Sequence, residues 1–297
     1  MTSAFPIPAP SLFDERWVQD LLNQAERFLE AGEEDRVASA LLALPPELLI
    51  LLYFDRPQKW GRLSAWLPTL PSEADQRHWT GSSGLHLMLQ ASVFLDDVFA
   101  HAGKLTADLR VLDYGCGWGR MLRLLYNRVR LSNIYGVDPW PPSHERLEEH
   151  GVRGKLALID YVPTELPFGD VNFDVIFAFS VFTHIGEQSQ RAVLGAMRKR
   201  VAQDGILALT IRQASYWTVA TWPDAATREQ LWNEHINGNG FAFASHGASE
   251  GGHQTDDYGD VSISLDYIRR EWKEWRLDGV RWHMTDDQQI TVFLRPA

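Results

Sequence analysis

Cysteine is nearly absent. Cys116 is the single one among 297 residues, which excludes an intrachain disulfide framework and a cysteine-rich zinc site. Positive charge is also scarce: 28 Lys and Arg against 39 Asp and Glu leave a formal net charge of −11. That balance argues against a broad phosphate-neutralising surface, so nucleic acid is not expected as a partner. No apolar run approaches the length of a membrane span; the longest extends only from Leu48 to Phe54. The opening Met1–Pro10 lacks a basic stretch and is spaced by prolines, unlike a signal peptide. These absences together predict a soluble, cytoplasmic protein. Tryptophan, in contrast, is plentiful. There are 12, and five of them fall between Trp217 and Trp275.

A hydrophobic content of 45% over this length suits one sizeable domain with an accessory segment. From Leu12 to Leu52 the apolar residues recur at helical spacing, with Trp17, Val18, Leu21, Leu22, Ala25, Phe28 and Leu29 on one face. Val37, Leu41 and Leu42 continue the pattern up to Pro45-Pro46, and nothing there alternates like a strand. Residues 1–75 are therefore expected to form a helical accessory region, and residues 76–297 the main domain. Trp79 to Gly84 reads as a polar turn into a helix over Leu85–His101. Thereafter short apolar runs alternate with helical patterns: Val111–Asp113, Ile134–Val137, Leu156–Ile159, Phe173–Phe179 and Ile206–Ile211. Strands and helices in such alternation predict an α/β fold with a doubly wound, mainly parallel sheet. A helix over Gln190–Val201 fits between the last two strands. Residues 237–260 are rich in Gly, Ser, Asn, His and Asp without hydrophobic period, and are expected to be a long, lid-like loop. A helix capped by Ser264 follows, and then two closing strands, Trp275–His283 and Ile290–Leu294.

Val111-Leu112-Asp113-Tyr114-Gly115-Cys116-Gly117-Trp118-Gly119 is the sharpest motif: a buried strand, a glycine turn, then a helix from Arg120 to about Val129. Glycines let the backbone approach a ligand closely, and the helix start offers unpaired amides. The third glycine comes one position earlier than in the dinucleotide fingerprint. Asp113 stands two residues before the first glycine, where it can accept from a ligand ammonium, so the pattern favours an amino-acid-bearing nucleoside. The second strand ends in Gly136-Val137-Asp138-Pro139, and an acid there can accept both ribose hydroxyls.

These two segments, with Leu166-Pro167-Phe168 and Asn172-Phe173-Asp174-Val175-Ile176, resemble the class I S-adenosylmethionine-dependent methyltransferases, from about residue 80 to 297. The resemblance implies a seven-stranded Rossmann-like sheet with a helical N-terminal extension, and S-adenosyl-L-methionine as cofactor. By position it implies that Asp113, Gly115, Cys116 and Gly117 line the methionine moiety and that Asp138 takes the ribose. Pro139 or Trp140 would flank the adenine, Asp160 and Tyr161 would read its edge, and Ser180 would face the sulfonium. Val181-Phe182-Thr183-His184-Ile185, the stretch from Tyr258 to Trp272 and the closing Gln289–Leu294 are similar to bacterial methyltransferase domains that modify sugars, surface glycans or secondary metabolites. That similarity implies a small-molecule or glycan hydroxyl as acceptor.

Methyl transfer to a hydroxyl needs a proton acceptor, for which histidine is suited. His184, just after the fourth strand, can act as that base or cap the next helix. His246 and His253 in the long loop can bring a base over the acceptor, or belong to a solvated loop. Their spacing with Asp256 and Asp257 matches no defined metal pattern, so no metal is expected. Trp79, Tyr216, Trp217 and Tyr258 are candidates for the acceptor wall, with Trp222 beside them. Cys116 suits packing better than nucleophilic chemistry. Three functions are left open: O-methylation, N-methylation of an amine or protein side chain, and a catalytically silent nucleoside-binding assembly module. The tryptophans of the remaining helices and strands are expected in the core.

Overall fold

A computed structural model describes residues 12–103, 106–247, 256–282 and 288–297. Six helices come first: α1 (Arg16–Glu30), α2 (Glu34–Leu41), α3 (Pro46–Asp55), α4 (Gly61–Trp66), α5 (Glu73–Thr80) and α6 (Gly84–Ala102). Val18, Leu22, Ala25 and Phe28 form the buried stripe of α1. Proline at the first position starts α3. The Ser72 hydroxyl accepts from the Asp75 amide to start α5.

The sheet then builds as β1 (Val111–Tyr114), α7 (Arg120–Leu124), β2 (Ile134–Asp138), α8 (Pro141–Glu149), β3 (Lys155–Leu158), β4 (Phe173–Ala178), α9 (Glu187–Arg198) and β5 (Val201–Ile211). The remaining elements are α10 (Tyr216–Val219), α11 (Ala225–Asn237), β6 (Phe241–Ser245), β7 (Gly259–Ile263), α12 (Leu265–Glu271), β8 (Trp275–Trp282) and β9 (Ile290–Pro296). Seven strands lie in the order β3-β2-β1-β4-β5-β9-β8. The first five are parallel, and β9 runs antiparallel to both β5 and β8. The strand order reverses between β1 and β4, so their carboxyl ends open a crevice there.

Strand residues alternate between two cores, as pleating requires. Val111, Val175, Phe177, Ile206 and Ala208 face one core, whereas Leu112, Ile176, Leu207 and Leu209 face the other. The first core is continuous with the N-terminal helices, from Phe13 through Leu67. Those helices are also tied by polar contacts: the Asn127 amide donates to Leu44 O at 2.9 Å, and the Tyr53 hydroxyl to Arg123 O at 2.8 Å. The lead is thus packed onto α6, α7 and β1 and shares their core.

Several expectations change. The stretch 237–260 is not a loop throughout: β6 and β7 pair antiparallel as a separate two-stranded sheet. Ala242 and Ala244 are the buried residues of β6, and Phe241 and Phe243 pack, half-buried, against the second core. Residues 248–255, including His253, lie outside the described residues. The helix expected at Gln190–Val201 spans Glu187–Arg198, and Val201 opens β5. After Glu187–Arg198 the chain pairs at once, Val201 with Phe173, before a register shift. The helix after the glycine turn tightens to 3₁₀ geometry at Leu125–Asn127. The unassigned tryptophans are not uniformly core: Trp17 and Trp232 are exposed, and Trp282 on the edge strand β8 is 72% exposed.

Candidate functional site

At the carboxyl end of β1 the chain turns through Gly115, Gly117 and Gly119, all at positive φ. The Gly115 and Cys116 amides both donate to Val137 O, at 2.8 and 3.0 Å, which fastens the turn across the end of β2. A Cβ on Gly115 would lie 2.4 Å from Val181 Cγ2, so only glycine fits there. Cys116 is buried, its thiol pushed up by that burial, and it packs near Gly136 as a structural residue would. Trp118 is buried in the first core beneath Arg123 and does not line the crevice.

Two carboxylates face this turn. Asp113 is buried and its Oδ2 has no hydrogen-bond partner. Burial raises its pKa, Arg120 opposes that rise, and Asp138 adds to it. An orphaned buried carboxylate oxygen is costly, and a ligand ammonium would relieve it. Asp138 is better satisfied. Its Oδ2 accepts from the Gly117 amide at 2.8 Å, and its Oδ1 from the Trp140 amide at 2.9 Å and the Ser143 hydroxyl at 2.8 Å. Oδ2 keeps capacity for a further donor. Pro139 and Trp140 follow directly, and Tyr161 is close enough for Asp138 to raise its pKa, after burial as the larger cause. Asp160 is exposed. An unsatisfied acid, a close-approach glycine turn and a second acid at the next strand end fit an amino-acid-bearing nucleoside.

The other half of the crevice is built on β4, β5 and β7. Ser180 sits at φ 61°, its amide donating to Thr210 Oγ1 at 2.6 Å and its hydroxyl 3.3 Å from Thr183 Oγ1. Strand β7 is sewn onto this edge: the Gly259, Val261 and Ile263 amides donate to His184 O, Thr183 O and Arg212 O. Asp257 accepts from the Ser189 amide at 2.7 Å and so anchors the segment to the start of α9.

This sewing brings Asp260 to Arg212. The two form a buried ion pair at 2.5 Å, and Arg212 also donates to Thr183 O at 3.1 Å. The guanidinium lies over the Tyr216 ring at 4.1 Å, and Tyr216 hydrogen-bonds to Asp260. Burial would raise the Asp260 carboxyl, yet Arg212, His184 and the hydrogen bonds outweigh it, and its pKa is lowered. Two imidazoles complete the cluster, with ring centroids 6.5 Å apart. His184 Nδ1 lies 2.9 Å from Gly259 O, so it carries the proton; Nε2 then faces Arg212 Nη2 at 3.3 Å as an acceptor. Both nitrogens of His184 are therefore engaged. His246 presents Nε2 to Asp260 Oδ2 at 3.4 Å, and its Nδ1 has no hydrogen-bond partner among the described residues. Tyr258 stacks on His184 at 5.6 Å, and Trp222 meets His246 edge-on at 4.5 Å.

Of the three candidate histidines, the structure brings His184 and His246 together. Arg212 and Asp260, which join them, were not singled out from sequence. The one available signal was an arginine immediately after the apolar run Ile206–Ile211. Of the candidate wall residues, Tyr216 and Tyr258 touch the cluster. Trp217 does not: it is 2% exposed, packs with Leu231, Ala242 and Ala244, and donates to Ser262 Oγ at 2.7 Å. Trp79 is elsewhere, against Trp140 at 4.6 Å and above Gly117. No group of three or more His, Cys, Asp or Glu among the described residues could hold a metal ion. Nor is any described helix long and apolar enough to cross a membrane.

Burial, first, and then Arg212 lower the His184 pKa from 6.5 to about 4; Asp260 and the Gly259 carbonyl pull it up, and His246 down. Because the folded value lies below the unfolded one, stability is complete above pH 6.5 and falls as pH drops toward 4. Urea unfolding should show a loss of roughly 2–3 kcal/mol across that window. His184→Gln should flatten the slope; an unchanged pH profile would contradict a neutral His184.

Residues 112–209 match a family described as Methyltransferase domain. No curated protein matches the chain in sequence. Among solved structures, the PH0226 protein from Pyrococcus horikoshii OT3 is similar over 72% of this chain and 93% of its own, with 13% identity and a TM-score of 0.52. An S-adenosylmethionine-dependent methyltransferase from Clostridium acetobutylicum ATCC 824 has 13% identity over 71% of this chain and 92% of its own, with a TM-score of 0.47. The CcbJ methyltransferase from Streptomyces caelestis has 16% identity over 77% and 99%, with a TM-score of 0.46. At such identities the likeness concerns the fold. The matched domain spans the glycine turn, Asp138 and β4 on a sheet of this order, so residues 112–209 carry a methyltransferase domain.

Proposed function

We propose that this methyltransferase transfers the methyl group to a hydroxyl of a small molecule or glycan unit, with His246 as general base. The observation that carries the reading is the Asp260 carboxylate beside His246 Nε2, which leaves Nδ1 as the basic nitrogen. Asp113, Gly115, Gly117 and Asp138 would hold the cofactor, and Ser180 would face its reactive end. When bound, the cofactor supplies an electrophilic methyl group on a sulfonium, which needs in-line approach and dry surroundings.

The chain's own residues then have separable tasks. Asp260 would fix the His246 tautomer and stabilise its protonated form. Arg212 neutralises Asp260 and holds β7 to the sheet edge. His184, neutral and doubly engaged, would position Arg212 and Tyr258 and leave the proton to His246. Tyr258, Tyr216 and Trp222 give the acceptor an aromatic wall, which suits a sugar face or a planar ring.

The test combines cofactor binding with transfer of labelled methyl groups to hydroxyl- and amine-bearing metabolite fractions. His246→Gln should lower turnover on a hydroxyl acceptor by about a hundredfold. Its affinity for S-adenosylhomocysteine should not change, whereas Asp113→Asn should weaken that affinity at least tenfold. An amine acceptor can lose its proton to water, so turnover indifferent to His246→Gln, with product methylated on nitrogen, would overturn the hydroxyl reading.

A further inference from the structure

We propose that α5, which runs from the end of the helical lead into the main domain, supplies part of the cofactor site: its Trp79, paired with Trp140, roofs the ribose-binding acid and slows release of the bound nucleoside. The inference rests on the cofactor site proposed at Asp113, the glycine turn and Asp138.

Four contacts define the roof. A Cβ on Gly117 would lie 3.8 Å from Trp79 Cε3, so the indole covers that glycine at van der Waals distance. The Gly117 and Trp140 amides hold the two oxygens of Asp138. The rings of Trp79 and Trp140 meet at 4.6 Å and 43°. Asp138 is thus bracketed by two backbone amides whose neighbourhoods are capped by one ring pair. A nucleoside engaging Asp138 Oδ2 would lie beneath flat apolar surface contributed by two distant parts of the chain.

Trp79 packs partly against the first core, but the polar anchoring of its helix lies elsewhere. That task falls to Gln76, which is buried and fully bonded: its amide donates to Pro71 O at 2.8 Å and its carbonyl accepts from the Gly84 amide at 2.9 Å. The Trp79 ring is half-buried at the rim of a cleft of about 350 Å³ between α5 and α8. Across that cleft the two helices are linked by an Arg146–Asp75 ion pair at 3.8 Å, with both side chains more than a third exposed. So α5 has a firm base at Gln76 and, beside α8, a flank held by an exposed ion pair. A small outward shift of α5 would part the two rings while leaving Gln76 in place.

A retaining contact of this kind acts mainly on dissociation. The full chain would be tested with S-adenosylhomocysteine as probe, by calorimetry for Kd and stopped-flow displacement for the off-rate. Trp79→Ala should raise Kd about tenfold, almost entirely through faster dissociation, whereas Trp79→Phe should stay within about twofold of wild type. Should Trp79→Ala fold poorly, Trp79→Leu keeps the apolar bulk without the flat face and should still dissociate at least fivefold faster. Binding should also change the tryptophan fluorescence of the wild type, and that signal should shrink in Trp79→Phe. Wild-type affinity and off-rate in both Trp79→Ala and Trp79→Leu would overturn the role of Trp79 alone. Failure of the wild type to bind the probe would overturn the cofactor site on which it rests.

Discussion

Asp260→Ala should be the most damaging single change at this site, costing about 3–5 kcal/mol of stability. Arg212 and Asp260 are both largely buried, and the carboxylate is the acid that the Arg212 guanidinium touches, at 2.5 Å. Removing it leaves a positive charge in the interior with carbonyl and imidazole partners but no counter-charge. Activity should fall further than stability accounts for, on the order of a thousandfold, because His246 loses the group that orients it. The two effects can be separated. In Asp260→Leu combined with Arg212→Met neither charge remains to be stranded, so urea unfolding should recover most of the lost stability. Turnover should stay low in the double variant, since His246 Nε2 still lacks its acceptor. Recovery of turnover along with stability would show that the carboxylate serves packing alone.

That pair also marks the limit of what could be read from the sequence. The strand run Val111–Asp113, the glycine turn and Asp138 were legible because each is local: short fully apolar strands, glycines where the backbone must turn, an acid at a strand end. The alternation of helices with strands predicts a doubly wound, mainly parallel sheet, but not the order of its strands. Arg212 and Asp260 are 48 residues apart and have no spacing that links them. Only β7 pairing against Thr183 and Arg212 brings them together, and β7 itself was hidden in a stretch rich in glycine, serine and histidine. Its partner β6, Phe241-Ala242-Phe243-Ala244-Ser245, is a short apolar run set directly after the polar Asn237–Gly240 stretch. Trp217 misled for the opposite reason. It stands after a strand at the ligand edge, but its indole turns inward to Ser262.

The helical lead was legible as helices and not as part of the main core. Periodicity identifies a buried face without saying what covers it. Here Arg123, fully buried, makes the connection: it donates to Thr69 O at 2.7 Å and to Trp118 O at 2.5 Å. One guanidinium therefore spans the segment before α5 and the last part of the glycine turn. Burial lowers its pKa to about 10, so it keeps its charge at neutral pH and both hydrogen bonds remain charge-assisted. The lead is in this way mechanically coupled to the turn proposed to meet the cofactor.

Gly115→Ala tests that turn where it has least room. Gly115 lies at φ 76°, a region that costs an L residue roughly 1–2 kcal/mol. The new methyl would also meet Val181 Cγ2 at 2.4 Å, and Val181 is β-branched and cannot rotate far out of the way. Relief by displacement would cost about 1–3 kcal/mol more. Displacing Gly115 disturbs its own amide and that of Cys116, both held by Val137 O, and shifts the surface presented beside Asp113. We therefore expect stability to fall by about 3 kcal/mol and S-adenosylhomocysteine affinity by about a hundredfold. Adding Val181→Ala removes the steric contribution but not the backbone strain, so roughly half of the lost stability should return. Affinity should remain at least tenfold below wild type, because alanine still resists positive φ. Full recovery in the double variant would mean that space beneath the turn, and not its left-handed backbone, is what the glycine provides.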